Sequence, residues 1–91
     1  TARGTMNMRN RKWADDFSPI DPDGHCAVDL LHSRAYLHHL FRAEELLALQ
    51  IASIHNLAFY LWLVGEARRH ILAGEFTTWK AGMVKQLSER I

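Results

Sequence analysis

Between Glu44 and Gly74 runs a stretch of helical periodicity whose apolar residues leave almost no polar side. Leu47, Ile51, Ile54, Ala58 and Leu61 form one stripe at about 100° per residue, and Phe59, Trp62 and Leu63 widen it nearly all the way round. A helix of this kind is normally buried by a larger body than one neighbour supplies. The whole chain has 91 residues, enough for one small domain with one modest core. It therefore expects company, either the rest of a larger protein or a second copy that covers the helix by dimerising. The opening "TARGT", without an initiator methionine, agrees with an excerpt from a longer chain.

The remainder is organised around that helix. Residues 5 to 9, "TMNMR", alternate polar and apolar, which predicts a short strand. "KWADDFSPIDPDG" follows, a turn-rich connection punctuated by Pro19, Pro22 and Gly24. From about Leu30 the pattern is helical, with Ser33 near a helix start and Leu30, Leu37, Leu40 and Phe41 on one face. Gly74 is the expected stop of the long helix. A last helix, about Phe76 to Glu89, is expected to bury Trp79, Met83 and Leu87. The fold class is thus mostly α with a short β-strand segment, residues 1–29 forming strand and turn-rich loop and 30–91 the helices.

Charge and cysteine usage bound the function classes. Basic residues number 11 against 10 acids, and a net charge of +1 names no partner. Arg3, Arg9, Arg11 and Lys12 nevertheless fall together in the first twelve residues, ahead of Asp15, Asp16, Asp21 and Asp23. Such a basic arm suits phosphate, and it equally suits a solvated chain end. A single cysteine excludes an internal disulfide and fits a reducing compartment. The longest apolar run, Leu57 to Val64, has eight residues against the roughly 18 of a membrane span. A soluble, cytoplasmic protein without a membrane partner is expected.

"DGHCAVDLLHS", residues 23 to 33, carries that cysteine. Cys26 and Asp29 are three apart, so one turn of chain offers both side chains to one ion, and His55 would approach from the long helix. Structural zinc takes four ligands in tetrahedral array. Gly24 offers no side chain, and His25 would point away from Cys26. The set reads either as a depleted metal site or as a buried thiol, a loop acid and a satisfied helical histidine.

"SPIDPDGHCAVD", "HSRAYLHHLFRAEELL" and "IHNLAFYLWLV", with "TAR" and "NMRN" before them and "GEF" after, together resemble the C-terminal part of the tRNA-guanine transglycosylases, also called queuine tRNA-ribosyltransferases. The resemblance covers nearly the whole chain. That family's zinc pattern, C-x-C-x2-C followed after 25 residues by histidine, falls here on Gly24, Cys26, Asp29 and His55. The first ligand is lost and the third altered, so the site is expected to be degenerate and empty of zinc, with no cofactor in this chain. Direct packing of the loop on the long helix is then the expected substitute. The family has a longer hairpin between the "TAR" and "INIRN"-like segments; here "TARGTMNMRN" runs almost directly across, so either the loop is trimmed or residues are missing between Arg3 and Met6.

The resemblance implies a (β/α)8 barrel enzyme of which this is the C-terminal portion and zinc-subdomain equivalent. Such enzymes exchange the anticodon wobble guanine of tRNA for a queuosine-pathway base, using two aspartates as nucleophile and general acid/base. Neither matches any aspartate here, so no catalytic residue is assigned and this part alone is expected to be inactive. It implies supporting roles: Arg3 toward tRNA, and His32, Tyr36 and His39, at i, i+4 and i+7, in a homodimer interface. The rival from another class is a non-catalytic accessory subunit or interaction module of the same family.

Overall fold

The computed structural model describes residues 1–24 and 26–91; the expectation for His25 lies outside the described residues. Among the described residues four α-helices follow one another: α1 (Ala27–Leu31), α2 (Arg34–Arg42), α3 (Leu46–Leu72) and α4 (Phe76–Leu87), with a 3-10 turn at Arg11–Trp13 before them. The chain divides into two units, Asn7–Ala58 and Thr1–Met6 with Phe59–Ile91, and α3 contributes to both.

Local chemistry sets the helix ends. Ser33 caps α2, its Oγ accepting the Tyr36 N–H at 3.0 Å. At the far end of α2 the Glu45 N–H reaches the Leu40 carbonyl and the Glu44 N–H that of Phe41, with Glu44 at φ 56°. The end of α3 repeats this pattern, Glu75 to His70 and Gly74 to Ile71, with Gly74 at φ 75°. Both are Schellman closures, which require a left-handed residue; glycine meets that requirement freely and glutamate does not.

In the Asn7–Ala58 unit, Ile20, Leu37, Leu40, Ala48 and Ile51 form the buried core, with Met8, Val28 and Phe41 packed against it. Polar side chains tie the loops to this core. The His38 Nδ1–H donates to the Met8 carbonyl at 2.7 Å, and the Trp13 indole N–H to that of Asn7 at 3.0 Å. Arg34 donates through Nε to the Ile20 carbonyl at 3.2 Å and through Nη1 to Asp16 Oδ2 at 3.3 Å, its guanidinium lying over the Trp13 ring. Asp16 is held below the ordinary carboxylate range, first by the Ser18 hydroxyl, then by the Ser18 N–H and Arg34, against partial desolvation.

The other unit is built more sparsely. Thr5 donates its N–H to Glu89 and accepts from Ile91, and the Trp79 ring stacks on His70 with centroids 4.9 Å apart. Gly4 sits at φ 139°, and a Cβ there would overlap the Glu89 carbonyl oxygen. No hydrophobic side chain described in this unit is fully buried.

Four expectations change. The strand at residues 5 to 9 does not form: Thr5 makes only an isolated parallel bridge to Arg90. Beyond it the Asn7 side chain accepts the Arg9 N–H, drawing residues 7–10 into a turn instead of a ladder. Leu30 does not share the face of Leu37 and Leu40, because the chain breaks at His32–Ser33 and leaves Leu30 exposed on α1. Trp79, Met83 and Leu87 do share a face of α4 but are only half-buried. On α3 the covered stripe is Ala48, Ile51 and His55, whereas Leu47, Ile54 and Leu61 stand exposed with Leu57 and Val64. Sequence periodicity spreads apolar residues round α3, so it does not single out which side is covered.

As a whole α3 is long and apolar enough, by length and composition, to cross a membrane, although its uninterrupted apolar run is short. Of its most apolar 18-residue stretch, only 17% is buried by the described residues.

Candidate metal centre

The loop preceding α1 doubles back on the segment after it. Pro19 bridges Ser33, the Ile20 N–H donates to His32, and the Asp21 N–H to the Asp29 carbonyl at 3.3 Å. This return places Asp21 beside Asp29, and His55 closes over both from the covered face of α3. Asp21, Asp29 and His55 are buried, and one potential ligand atom from each lies within 4.8 Å of the others.

The sequence-predicted trio Cys26, Asp29 and His55 does come together. Asp29 lies at its centre, 2% exposed. Its Oδ1 is 2.5 Å from His55 Nδ1, and its Oδ2 accepts the Cys26 thiol at 3.2 Å. Burial pushes the Cys26 thiol up from its ordinary value, and the hydrogen bond to Asp29 pushes it further, so sulfur is held protonated. Asp21 is the residue that sequence reasoning missed. It carries no metal-ligand spacing, and only the folded-back loop brings it to the group. One of its oxygens accepts the Asp23 N–H at 3.1 Å.

The other expected site residues lie elsewhere. Arg3 is exposed, its N–H donating to the Thr1 hydroxyl. His32 and Tyr36 stack with ring centroids 5.4 Å apart, Tyr36 is 40% exposed, and His39 is exposed one turn on.

The profile of the family described as Queuine tRNA-ribosyltransferase matches residues 1–89. The chain belongs to that family. It is 47% identical over 83 residues to a queuine tRNA-ribosyltransferase of Gluconacetobacter diazotrophicus, covering 91% of this chain and 21% of that protein. The one from Nitratidesulfovibrio vulgaris is 46% identical over 80 residues, with 88% and 21% covered. For Aquifex aeolicus the identity is 38% over 91 residues, with 100% and 24% covered. The chain thus spans between 21% and 24% of the length of these relatives.

The family implies zinc at this loop, and the residues here do not fit it. A tetrahedral zinc with bonds of about 2.1 Å would hold an oxygen and a nitrogen about 3.4 Å apart. Asp29 and His55 are in direct contact instead. A Cβ at Gly24 would overlap the Asp29 carboxylate and Cβ, so Asp29 fills the room that a ligand at position 24 would need. A vacated metal site would leave buried donors without partners, and among the described residues every buried side-chain nitrogen and oxygen has one.

Proposed function

We propose that this chain is the C-terminal portion of a (β/α)8 barrel enzyme, a pentosyltransferase that exchanges the wobble guanine of tRNA for a queuosine-precursor base. The observation that carries the proposal is the family match along nearly the whole chain, at 38% to 47% identity to proteins named for that activity. The part itself supplies no reacting group. Its acids near the loop are engaged structurally: Asp16 with Ser18 and Arg34, Asp21 with the loop backbone, Asp29 with His55 and Cys26.

Supporting roles fit its surfaces. On α3, Ile54, Leu57, Leu61 and Val64 offer an apolar face suited to burial against the rest of the parent chain. The exposed cations Arg3, Arg9, Arg11 and Lys12 suit phosphate contacts with tRNA. The His32–Tyr36 stack, His39 and the exposed Leu30 and Leu31 suit a homodimer surface, since partner surfaces favour aromatic groups with a polar tip.

The test is exchange of labelled guanine in tRNA. The parent protein incorporates label and residues 1–91 alone do not. A parent protein that binds tRNA without exchange would replace this reading with that of an accessory subunit.

A further inference from the structure

We propose that a direct hydrogen bond between Asp29 and His55, closed on its other side by Cys26, is the cross-link that fastens the loop to α3 in this chain, in place of a metal ion. The carboxylate touches both partners: one oxygen meets the imidazole at 2.5 Å and the other the thiol at 3.2 Å. The contact bridges 26 residues of chain, so it performs the long-range tie that an ion would otherwise supply. Charge-assisted hydrogen bonds of this kind are short and stronger than neutral ones, and more so when buried. At 2% exposure for Asp29 and 9% for His55, water does not compete for them.

Gly24 is part of the same device. The Asp29 side chain occupies the space beside its Cα, so a side chain at 24 and the carboxylate at 29 exclude one another. The missing ligand and the altered ligand are therefore a single change: removing the side chain at 24 makes room for an acid that bonds the histidine directly. Asp21 lies beside this pair, and its Oδ1 already accepts the Asp23 N–H.

The experiment uses the full-length parent protein, produced with zinc in the medium, and reads metal content and amide exchange instead of activity. It stands whether or not that protein exchanges bases. Zinc is expected far below one per chain, with a melting temperature unchanged by a strong chelator. About one zinc per chain, removed by the chelator with a fall in melting temperature, overturns the proposal. Asp29→Asn, His55→Gln and the double substitution then test the bond itself. Each single change is expected to speed exchange of the α1 amides and of those around His55 by roughly 10- to 100-fold, as loss of a buried hydrogen bond to a charged group would. The double is expected to be no worse than the worse single, because the two residues act on one another. Effects that multiply in the double overturn the bond as the cross-link. Should the single variants fail to fold, the zinc and chelator measurements on the unaltered protein still decide.

Discussion

Glu44 is the residue whose replacement should improve this fold. It closes α2 in a left-handed conformation, φ 56°, with its side chain exposed. An L-residue held there costs about 1–2 kcal/mol, whereas glycine adopts it without strain. Glycine also makes the unfolded chain more flexible, which takes back about 0.4–1 kcal/mol. The net gain from Glu44→Gly is therefore about 0.5–1 kcal/mol. The two hydrogen bonds of the closure, from Glu44 to Phe41 and from Glu45 to Leu40, are the local reporters. In the parent protein their amides should exchange about 2- to 5-fold more slowly on Glu44→Gly, the equivalent of that free energy. Gly74→Ala is the reciprocal control, because Gly74 holds φ 75° with open space around its Cα, and it should weaken the end of α3 by about 1 kcal/mol through backbone strain alone. Unchanged or faster exchange at residues 44 and 45 in the glycine variant would refute the reasoning.

Three further outcomes follow from the packing and the site. Ile51 is 2% exposed in the core, so Ile51→Ala should cost about 2–5 kcal/mol and Ile51→Val about 0.5–1.5 kcal/mol in denaturant unfolding, and equal effects would mean the core collapses around either. The Cys26 thiol is raised by burial and by Asp29, which extends its protonated range upward. Alkylation in the folded protein should stay slow at pH 7 and climb only above the ordinary thiol value of 9.0, with the denatured protein reacting at lower pH as the control. Tyr36→Ala with His39→Ala, made in the parent protein, should shift dimer toward monomer at low concentration while the fold survives, since both side chains stand exposed beside buried Leu37 and Leu40; an unchanged native mass contradicts the interface.

The helices and their ends are readable in the sequence because short-range rules govern them. Ser33 falls where a cap is needed, Gly74 where α3 must stop, and the 3.6 period carries α2 through Leu37 and Leu40. The break before Ser33 is harder to see, since Leu30 and Leu31 continue the apolar pattern across it. Which side of α3 is covered is not readable at all, because periodicity records apolarity and α3 is apolar on both sides. At the candidate site, the 26-residue separation of Asp29 and His55 is visible as spacing. Asp21 joins them only through the fold-back at Pro19–Asp21, a backbone pairing that leaves no pattern in side-chain order.

The energetics of the proposed Asp29–His55 tie set how much stability this part of the chain would have to draw from elsewhere. A structural zinc contributes on the order of 10–16 kcal/mol to the fold that holds it, whereas one buried charge-assisted hydrogen bond contributes about 1.5–3 kcal/mol. With the proposed bond in place of an ion, the difference has to come from elsewhere. Part of it is spread over the other loop ties, Arg34 to Ile20, His38 to Met8 and Trp13 to Asn7, each a side chain joined to a distant backbone group. Those are modest bonds of about 0.5–1.5 kcal/mol each, and together they do not replace a metal. The largest unused source is the bare side of α3, where each leucine or isoleucine taken fully out of water contributes about 1.5–3 kcal/mol. Ile54, Leu57 and Leu61 are 48%, 63% and 67% exposed, so most of that gain is still open to them. Covering these three side chains would contribute about 3–5 kcal/mol, part of what an ion would supply, and would tie the stability of α3 to whatever covers it.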